Sequence, residues 1–319
     1  MTSLPRIVFF GTPEMAVASL QATVRAGYPV AGVVTAPDRP AGRGLKLSAS
    51  PVKEAAMRLG LPLLQPPDLN DPGFCRELAA WNPEIQVVVA FRLLPRCVWA
   101  LPPLGTFNLH ASLLPQYRGA APINWVLING EKETGLTTFF LEDSLDTGNV
   151  ILSEKIPVLP DETAGELRNR MMEIGSALVL KTLNAICNRE ASRISQESLV
   201  HPDIVLKKAP KLKKEDCMIR WEQDVEAIHN RIRGLSPDPG EFTILKGNNG
   251  EEWYIKIFSA RPERSAGMAI PPGTLQTDGI SFFRIAGQNG FIHLLEVQPA
   301  GRKAMEIQDF LRGFGRQFL

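Results

Sequence analysis

Apolar residues in the first 110 positions come in short unbroken runs instead of alternating with polar ones. IVFFG (7–11), VAGVVTA (30–36), IQVVVAF (85–91) and GTFNLH (105–110) each read as a strand with no extended polar side. Strands of that kind are covered on both faces, the pattern of a parallel sheet between helices. The intervening stretches PEMAVASLQATVRAG and SPVKEAAMRLG (50–60) read as helices that stop at a glycine. The alternation predicts an α/β fold, a doubly wound, mostly parallel, Rossmann-like sheet. TTFFL (137–141) adds a strand, and TAGELRNRMMEIGSALVLKTLNAI (163–186) is the clearest helix. In it Leu167, Met171, Ile174 and Leu178 recur at three and four, and Thr163 with Glu166 makes a capping box. Beyond it the texture changes. KKAPKLKK (207–214) is a lysine run, and FTIL, WYIKIF, SFFRIA and FIHLLEVQP are short strand-like runs parted by Gly and Pro. These predict a small OB-like β-barrel domain. The expected division is 1–189, a connection over 190–210, and 211–319.

Composition narrows the function classes. The 319 residues are 44% hydrophobic and 22% charged with a net charge of +1, which is ordinary globular composition with no overall field for a polyanion. Cys75, Cys97, Cys187 and Cys217 show no CxxC spacing, so neither a zinc knuckle nor a dithiol motif is expected. The setting read from this is reducing and cytoplasmic. The N-terminus lacks a signal peptide's long apolar region, and no run approaches about 18 apolar residues, so no membrane partner is expected.

Chemistry concentrates at the end of the fourth strand. Asn108 and His110 are two apart and share a face, and a buried strand carries two such polar groups only if each finds a partner. In open α/β sheets, ligands bind at the carboxyl ends of strands. A catalytic histidine needs an orienting carboxylate, and LEDSLDTGNVI (141–151) offers Asp146. The blander alternative is a histidine bonded to a carbonyl at a strand end. His201, His229 and His293 lack an Asn two residues earlier. Asp146-Thr147-Gly148 also raises aspartic-protease chemistry. That reaction needs a second carboxylate sharing the proton, and the alternating helices argue against it. GTPEM (11–15) lacks the GxGxxG spacing and reads as a tight turn with Pro13 opening a helix. The long loop TAPDRPAGRGLKLSASPVK (35–53) carries Arg39, Arg43, Lys46 and Lys53. With the 207–214 run it is open to two readings, a solvated surface or basic elements that gain order on RNA.

HASLLPQYRGAAPINW (110–125) resembles the signature of the methionyl-tRNA formyltransferases. The similarity runs over nearly the whole chain through FFGTPEM, PDRPAGRG with SPVK, ETG (133–135), LDTG (145–148) and QPAGRKAM (298–305). It implies transfer of the formyl group of 10-formyltetrahydrofolate to the methionine amino group of initiator methionyl-tRNA, for translation initiation. It implies Asn108, His110 and Asp146 as the catalytic trio, with Asp146 raising the His110 pKa so that a protonated His110 and Asn108 face the oxyanion. Phe91, Ser112, Leu113, Leu114, Pro115 and Asp146 are implied at the folate slot. Arg39, Arg43, Lys46, Lys207, Lys208, Lys211, Lys213 and Lys214 are implied on the tRNA, whose acceptor arm the family places between its two domains. No metal is implied, and the chain is expected to act as a monomer. One departure stands out: AFRLLP (90–95) replaces the family's AYGxILP, so Arg92 stands where a glycine is usual beside the pterin. The alternatives are another formyl-folate enzyme, a 10-formyltetrahydrofolate hydrolase or a sugar N-formyltransferase, and a non-catalytic tRNA-binding protein.

Overall fold

In the computed structural model, which describes residues 4–41, 46–200, 203, 205–265, 267 and 269–319, the apolar runs form one seven-stranded sheet. Its strands are β1 (Ile7–Gly11), β2 (Val30–Val34), β3 (Leu63–Leu64), β4 (Ile85–Val89), β5 (Thr106–His110), β6 (Glu133–Phe140) and β7 (Val150–Pro157), in the order β7-β6-β5-β4-β1-β2-β3. The pairs from β3 through β5 are parallel. β6 runs antiparallel to β5 and sets Thr137 opposite His110. The chain lays β2 and β3 on one side of β1, then crosses to place β4 and β5 on the other. The topological switch point therefore lies between the carboxyl ends of β1 and β4, where a doubly wound sheet opens a crevice.

Helices α1 (Glu14–Arg25), α2 (Pro51–Arg58), α3 (Pro72–Ala80) and α4 (Ala164–Cys187) accompany this sheet. Three of them, α2, α3 and α4, start on side chains that accept the orphan N–H groups of a first turn. Ser50 Oγ accepts from Lys53 N at 3.0 Å, and Asp71 accepts from Gly73 N and Phe74 N. Thr163 and Glu166 form the expected reciprocal box, Glu166 N donating to Thr163 Oγ1 at 3.2 Å and Thr163 N to Glu166 Oε2 at 2.8 Å. Val8 and Phe10, Val34 and Val88 alternate onto one sheet face and are buried against Phe74 and Leu78 of α3. At the switch point a Cβ on Gly11 would lie 2.6 Å from that of Ala16, so only glycine lets α1 start so close to the strand end.

The described residues divide into two compact units, each drawn from three stretches of chain. The first takes Met1–Gly119, Thr134–Ile156 and Arg168–Lys208, and the second takes Ala120–Glu133, Pro157–Leu167 and Ala209–Leu319. The second holds an antiparallel half-barrel of β8 (Glu241–Lys246), β9 (Glu252–Arg264), β10 (Leu275–Thr277), β11 (Phe283–Gly287) and β12 (Gly290–Pro299), ordered β8-β9-β12-β11-β10, with Met305–Glu306 also paired to β12. Register shifts between Ile257 and Ala260 mark bulges that bend β9. Its core joins Ile255, Ile257, Phe283, Ile285 and Ile292 to Val225, Ile228 and Ile232 of α5 (Val225–Leu235) and to Phe310 of α6 (Ile307–Phe314). The signature's PINW segment belongs to this unit. It forms the helix Pro122–Ile128, whose Asn124 Nδ2 donates to Gly234 O at 2.7 Å and whose Trp125 Nε1 donates to Pro210 O at 2.8 Å.

Candidate active site

β5 carries Asn108 and His110 to the carboxyl edge of the first unit's sheet, on one face because strand side chains alternate. Asn108 is half-buried, and His110 is 6% exposed. His110 Nε2 lies 2.9 Å from the Tyr117 carbonyl oxygen. A carbonyl only accepts, so Nε2 carries the ring proton and Nδ1 keeps its lone pair in the neutral imidazole. Nδ1 faces Asp146 Oδ2 at 4.0 Å, close enough for an ion pair once the ring is protonated and too long for a hydrogen bond. Asp146 sits in the left-handed region at φ 52°, and its Oδ2 accepts from Gly119 N at 3.1 Å. Tyr117, also left-handed at φ 59°, and Gly119 thus place one partner on each side of the His–Asp pair.

The direction of the His110 shift corrects the sequence reading. Asp146 and the Tyr117 carbonyl do push the imidazole pKa upward, but burial pushes it down harder, and the net is below 6.5. A ring nearly sealed from water loses more hydration on charging than a single carboxylate 4.0 Å away returns. His110 therefore rests neutral near pH 7, and its protonated form belongs to a step after proton uptake.

The other residues implied at the folate slot belong to the first unit. Phe91 follows β4 and stands edge-on to Phe10, ring centroids 5.6 Å apart. Ser112 is buried with its hydroxyl donating to Gln116 O at 2.6 Å, and Leu114 is packed among Phe139, Val150 and Leu141. Pro115 is buried too, and Leu113 is half-buried. Leu114 N donates to Thr137 Oγ1 (3.1 Å), which donates to Ser112 O (2.7 Å). The departing residue Arg92 is committed elsewhere, donating to Pro67 O at 3.0 Å and Pro66 O at 2.7 Å.

Of the basic residues, Arg39 is exposed on a short strand, Arg39–Ala41, paired with Lys46–Ser48. Arg43 lies outside the described residues, and of Lys46 only the backbone is described. Lys53 is paired to Asp38 at 2.6 Å. Lys207 and Lys208 in the first unit, and Lys211, Lys213 and Lys214 in the second, are exposed. Sequence reasoning missed Gln196, which donates to the Asp146 and Gly148 carbonyls and accepts from the Arg118 guanidinium. A lone glutamine in a stretch read as connection carries no periodic or motif signal.

A formyl transferase family model matches residues 5–183, and a formyl transferase C-terminal domain model matches residues 211–315. The methionyl-tRNA formyltransferase of Azobacteroides pseudotrichonymphae genomovar. CFP2 is 49% identical over 312 residues, covering 98% of this chain and 96% of that protein. Among solved structures, an N-formyltransferase from Helicobacter canadensis, in complex with folinic acid and dTDP-3-aminofucose, superposes with a TM-score of 0.64 at 20% identity over 92% of this chain and 98% of its own. HypX from Aquifex aeolicus, in complex with tetrahydrofolic acid, gives 0.63 at 18% identity over 99% of this chain and 48% of its own.

Proposed function

The chain belongs to the methionyl-tRNA formyltransferase family, and on that premise we propose that Asn108, His110 and Asp146 carry its reaction. The enzyme transfers a formyl group from a folate cosubstrate, 10-formyltetrahydrofolate, to the free amino group of methionine on initiator methionyl-tRNA. The methionyl amine, with a pKa of roughly 8, reaches its neutral form near neutral pH and attacks the formyl carbon. A C–N bond forms, and the carbonyl pair moves onto oxygen. The Asn108 amide donates to that oxyanion. His110 Nδ1 takes the proton the amine sheds and becomes an imidazolium. Asp146 balances its charge in a site where burial keeps water from screening the pair. The imidazolium then returns the proton to the folate nitrogen as the old C–N bond breaks. The observation that carries this reading is the Nε2 hydrogen bond to the Tyr117 carbonyl, which leaves Nδ1 as the proton acceptor on the Asp146 side.

The folate is assigned to the switch-point crevice, against Phe91, Ser112, Leu113, Leu114, Pro115 and Asp146. Because the Ser112 hydroxyl and the Leu114 side chain are already committed, backbone groups and Leu113 are what SLLP offers a pterin. The tRNA is assigned to Arg39, Arg43 and Lys46 and to Lys207, Lys208, Lys211, Lys213 and Lys214. The same reading takes 1–189 as catalytic domain, 190–210 as linker and 211–319 as the tRNA-binding domain, in a cytoplasmic monomer. Among the described residues no helix is long and apolar enough to cross a membrane.

Replacing Lys211, Lys213 and Lys214 together by Ala is expected to weaken initiator tRNA binding and leave the KM for formyl-folate unchanged. The slope of log Kd against log salt should shrink by up to about three, one counterion-release contribution per phosphate contact. An unchanged slope in a filter-binding titration takes these lysines off the RNA. The reading as a whole is tested by transfer of labelled formyl from 10-formyltetrahydrofolate to charged initiator tRNA, with charged elongator methionine tRNA alongside. Label on the initiator alone is expected. Folate consumption with neither tRNA labelled would move the function to hydrolysis or to a small amine acceptor.

A further inference from the structure

Gln196 opens a 3-10 turn, Gln196–Leu199, in the stretch that follows α4. Its position is set by a two-way bridge between Ile194 and Val150, with N···O distances of 2.8 and 3.0 Å. Ser195 caps the turn through Glu197 N. The Gln196 side chain is buried, and its amide has two donors and two acceptor sites to satisfy there. All four are used. Nε2 donates to Asp146 O at 3.0 Å and to Gly148 O at 2.8 Å. Oε1 accepts from Arg118 Nε at 2.9 Å and from Arg118 Nη2 at 2.6 Å.

Arg118 lies between Tyr117, whose carbonyl takes the His110 ring proton's hydrogen bond, and Gly119, whose N–H holds the Asp146 carboxylate. One buried amide thus joins the backbone that carries Asp146 to the backbone that seats both members of the His–Asp pair. We propose that Gln196, braced by Arg118, is a positioning residue for formyl transfer: it holds the Asp146 loop so that the carboxylate faces His110 Nδ1. The assignment rests on the reading of His110 and Asp146 as the reacting pair. Gln196 touches neither the imidazole nor the carboxylate, so its effect on rate comes through the loop. The left-handed Asp146 is a conformation that persists only where its surroundings enforce it, and Gln196 grips its carbonyl directly.

The test is a cycle of Gln196→Met, Asp146→Asn and the double variant, each assayed for kcat, for both KM values and for the pH dependence of kcat. Gln196→Met is expected to lower kcat about 100-fold, the scale of a misplacement near 1 Å, with both KM values within about threefold. Its acid limb should move lower, in the direction of Asp146→Asn, because the carboxylate that opposes burial is no longer held against His110. In the Asp146→Asn background the same change should cost less than about threefold, because the group it positions is already gone.

An unmoved kcat in Gln196→Met, beside a large loss in Asp146→Asn, overturns the inference and leaves the catalytic reading standing. So does an equal loss from Gln196→Met in both backgrounds, or a lowered kcat with an unmoved acid limb. Full activity in Asp146→Asn overturns the catalytic reading itself. Should Gln196→Met fail to fold, Gln196→Glu keeps the Arg118 pair and turns an oxygen onto the two carbonyls. It is held to the same outcomes.

Discussion

Exchange of His110 for Gln is expected to lower kcat for formyl transfer by about 1,000-fold, with the KM values for tRNA and folate little changed. Gln retains an N–H for the Tyr117 carbonyl, so the strand end keeps the hydrogen bond that His110 Nε2 makes at 2.9 Å. What it loses is the lone pair on Nδ1 and the ability to carry a proton from the amine to the leaving nitrogen. Positioned proton transfer contributes roughly 100- to 10,000-fold, and here one ring serves both as base and as acid. Asn108 and bound-substrate positioning remain, so the variant should still transfer formyl slowly. Single-turnover transfer of labelled formyl reads the chemical step directly, and a rate within about threefold of the unaltered enzyme would take His110 out of the mechanism.

The second large effect is on structure. Gly148→Ala is expected to destabilise the protein by at least about 3 kcal/mol and to abolish most activity in whatever folds. A Cβ at Gly148 would collide with the carbonyl oxygen of Phe140, and that oxygen belongs to the end of β6 and cannot rotate aside. Relief requires moving either β6 or the loop that carries Asp146, and Gln196 also grips the Gly148 carbonyl at 2.8 Å. The Gly of the Asp-Thr-Gly triplet is thus required by close approach of backbone to backbone. Gly313→Ala is the control. It lies within α6 with nothing near its added Cβ and no left-handed backbone, so it should be neutral or stabilising by up to about 1 kcal/mol. Urea melts of the two variants side by side check both outcomes.

Much of the fold was legible because buried parallel strands announce themselves as unbroken apolar runs. IVFFG and IQVVV became β1 and β4, and WYIKIF and FIHLLEVQP fall inside β9 and β12. The helices of the second unit were not anticipated. Val225, Ile228 and Ile232 have helical spacing and Asp224 caps them, its Oδ1 accepting from Glu226 N at 2.7 Å, but the segment is short and its neighbours read as strands. That Asn108 and His110 share a face followed from the two-residue period of a strand. The meeting of His110 with Asp146 did not, since nothing local to either segment dictates a contact between distant loops: the 141–151 loop offered Asp146 as a candidate carboxylate, and the family resemblance joined it to the other two. The sign of the His110 shift was misread because burial depends on what packs around the ring, which spacing in sequence does not report. Gln196 was invisible for the same reason: its role exists only in the folded contact of three stretches of chain, 117–119, 146–148 and its own.

The central claim is that His110 rests neutral and does its proton work beside Asp146. The measurement that tests it most directly is the pH dependence of kcat at saturating tRNA and formyl-folate, for the unaltered enzyme and for Asp146→Asn. Because burial dominates, the His110 limb of the unaltered enzyme should fall below 6.5, on the acid side of the limb at roughly 8 that the methionyl amine sets, with the remaining activity lost as pH drops through the depressed His110 pKa. Asp146 is the largest influence opposing burial, so its replacement should move the limb lower still while reducing the plateau. A His110 limb at or above 6.5 in the unaltered enzyme, or an Asp146→Asn variant with an undiminished plateau, would contradict the account.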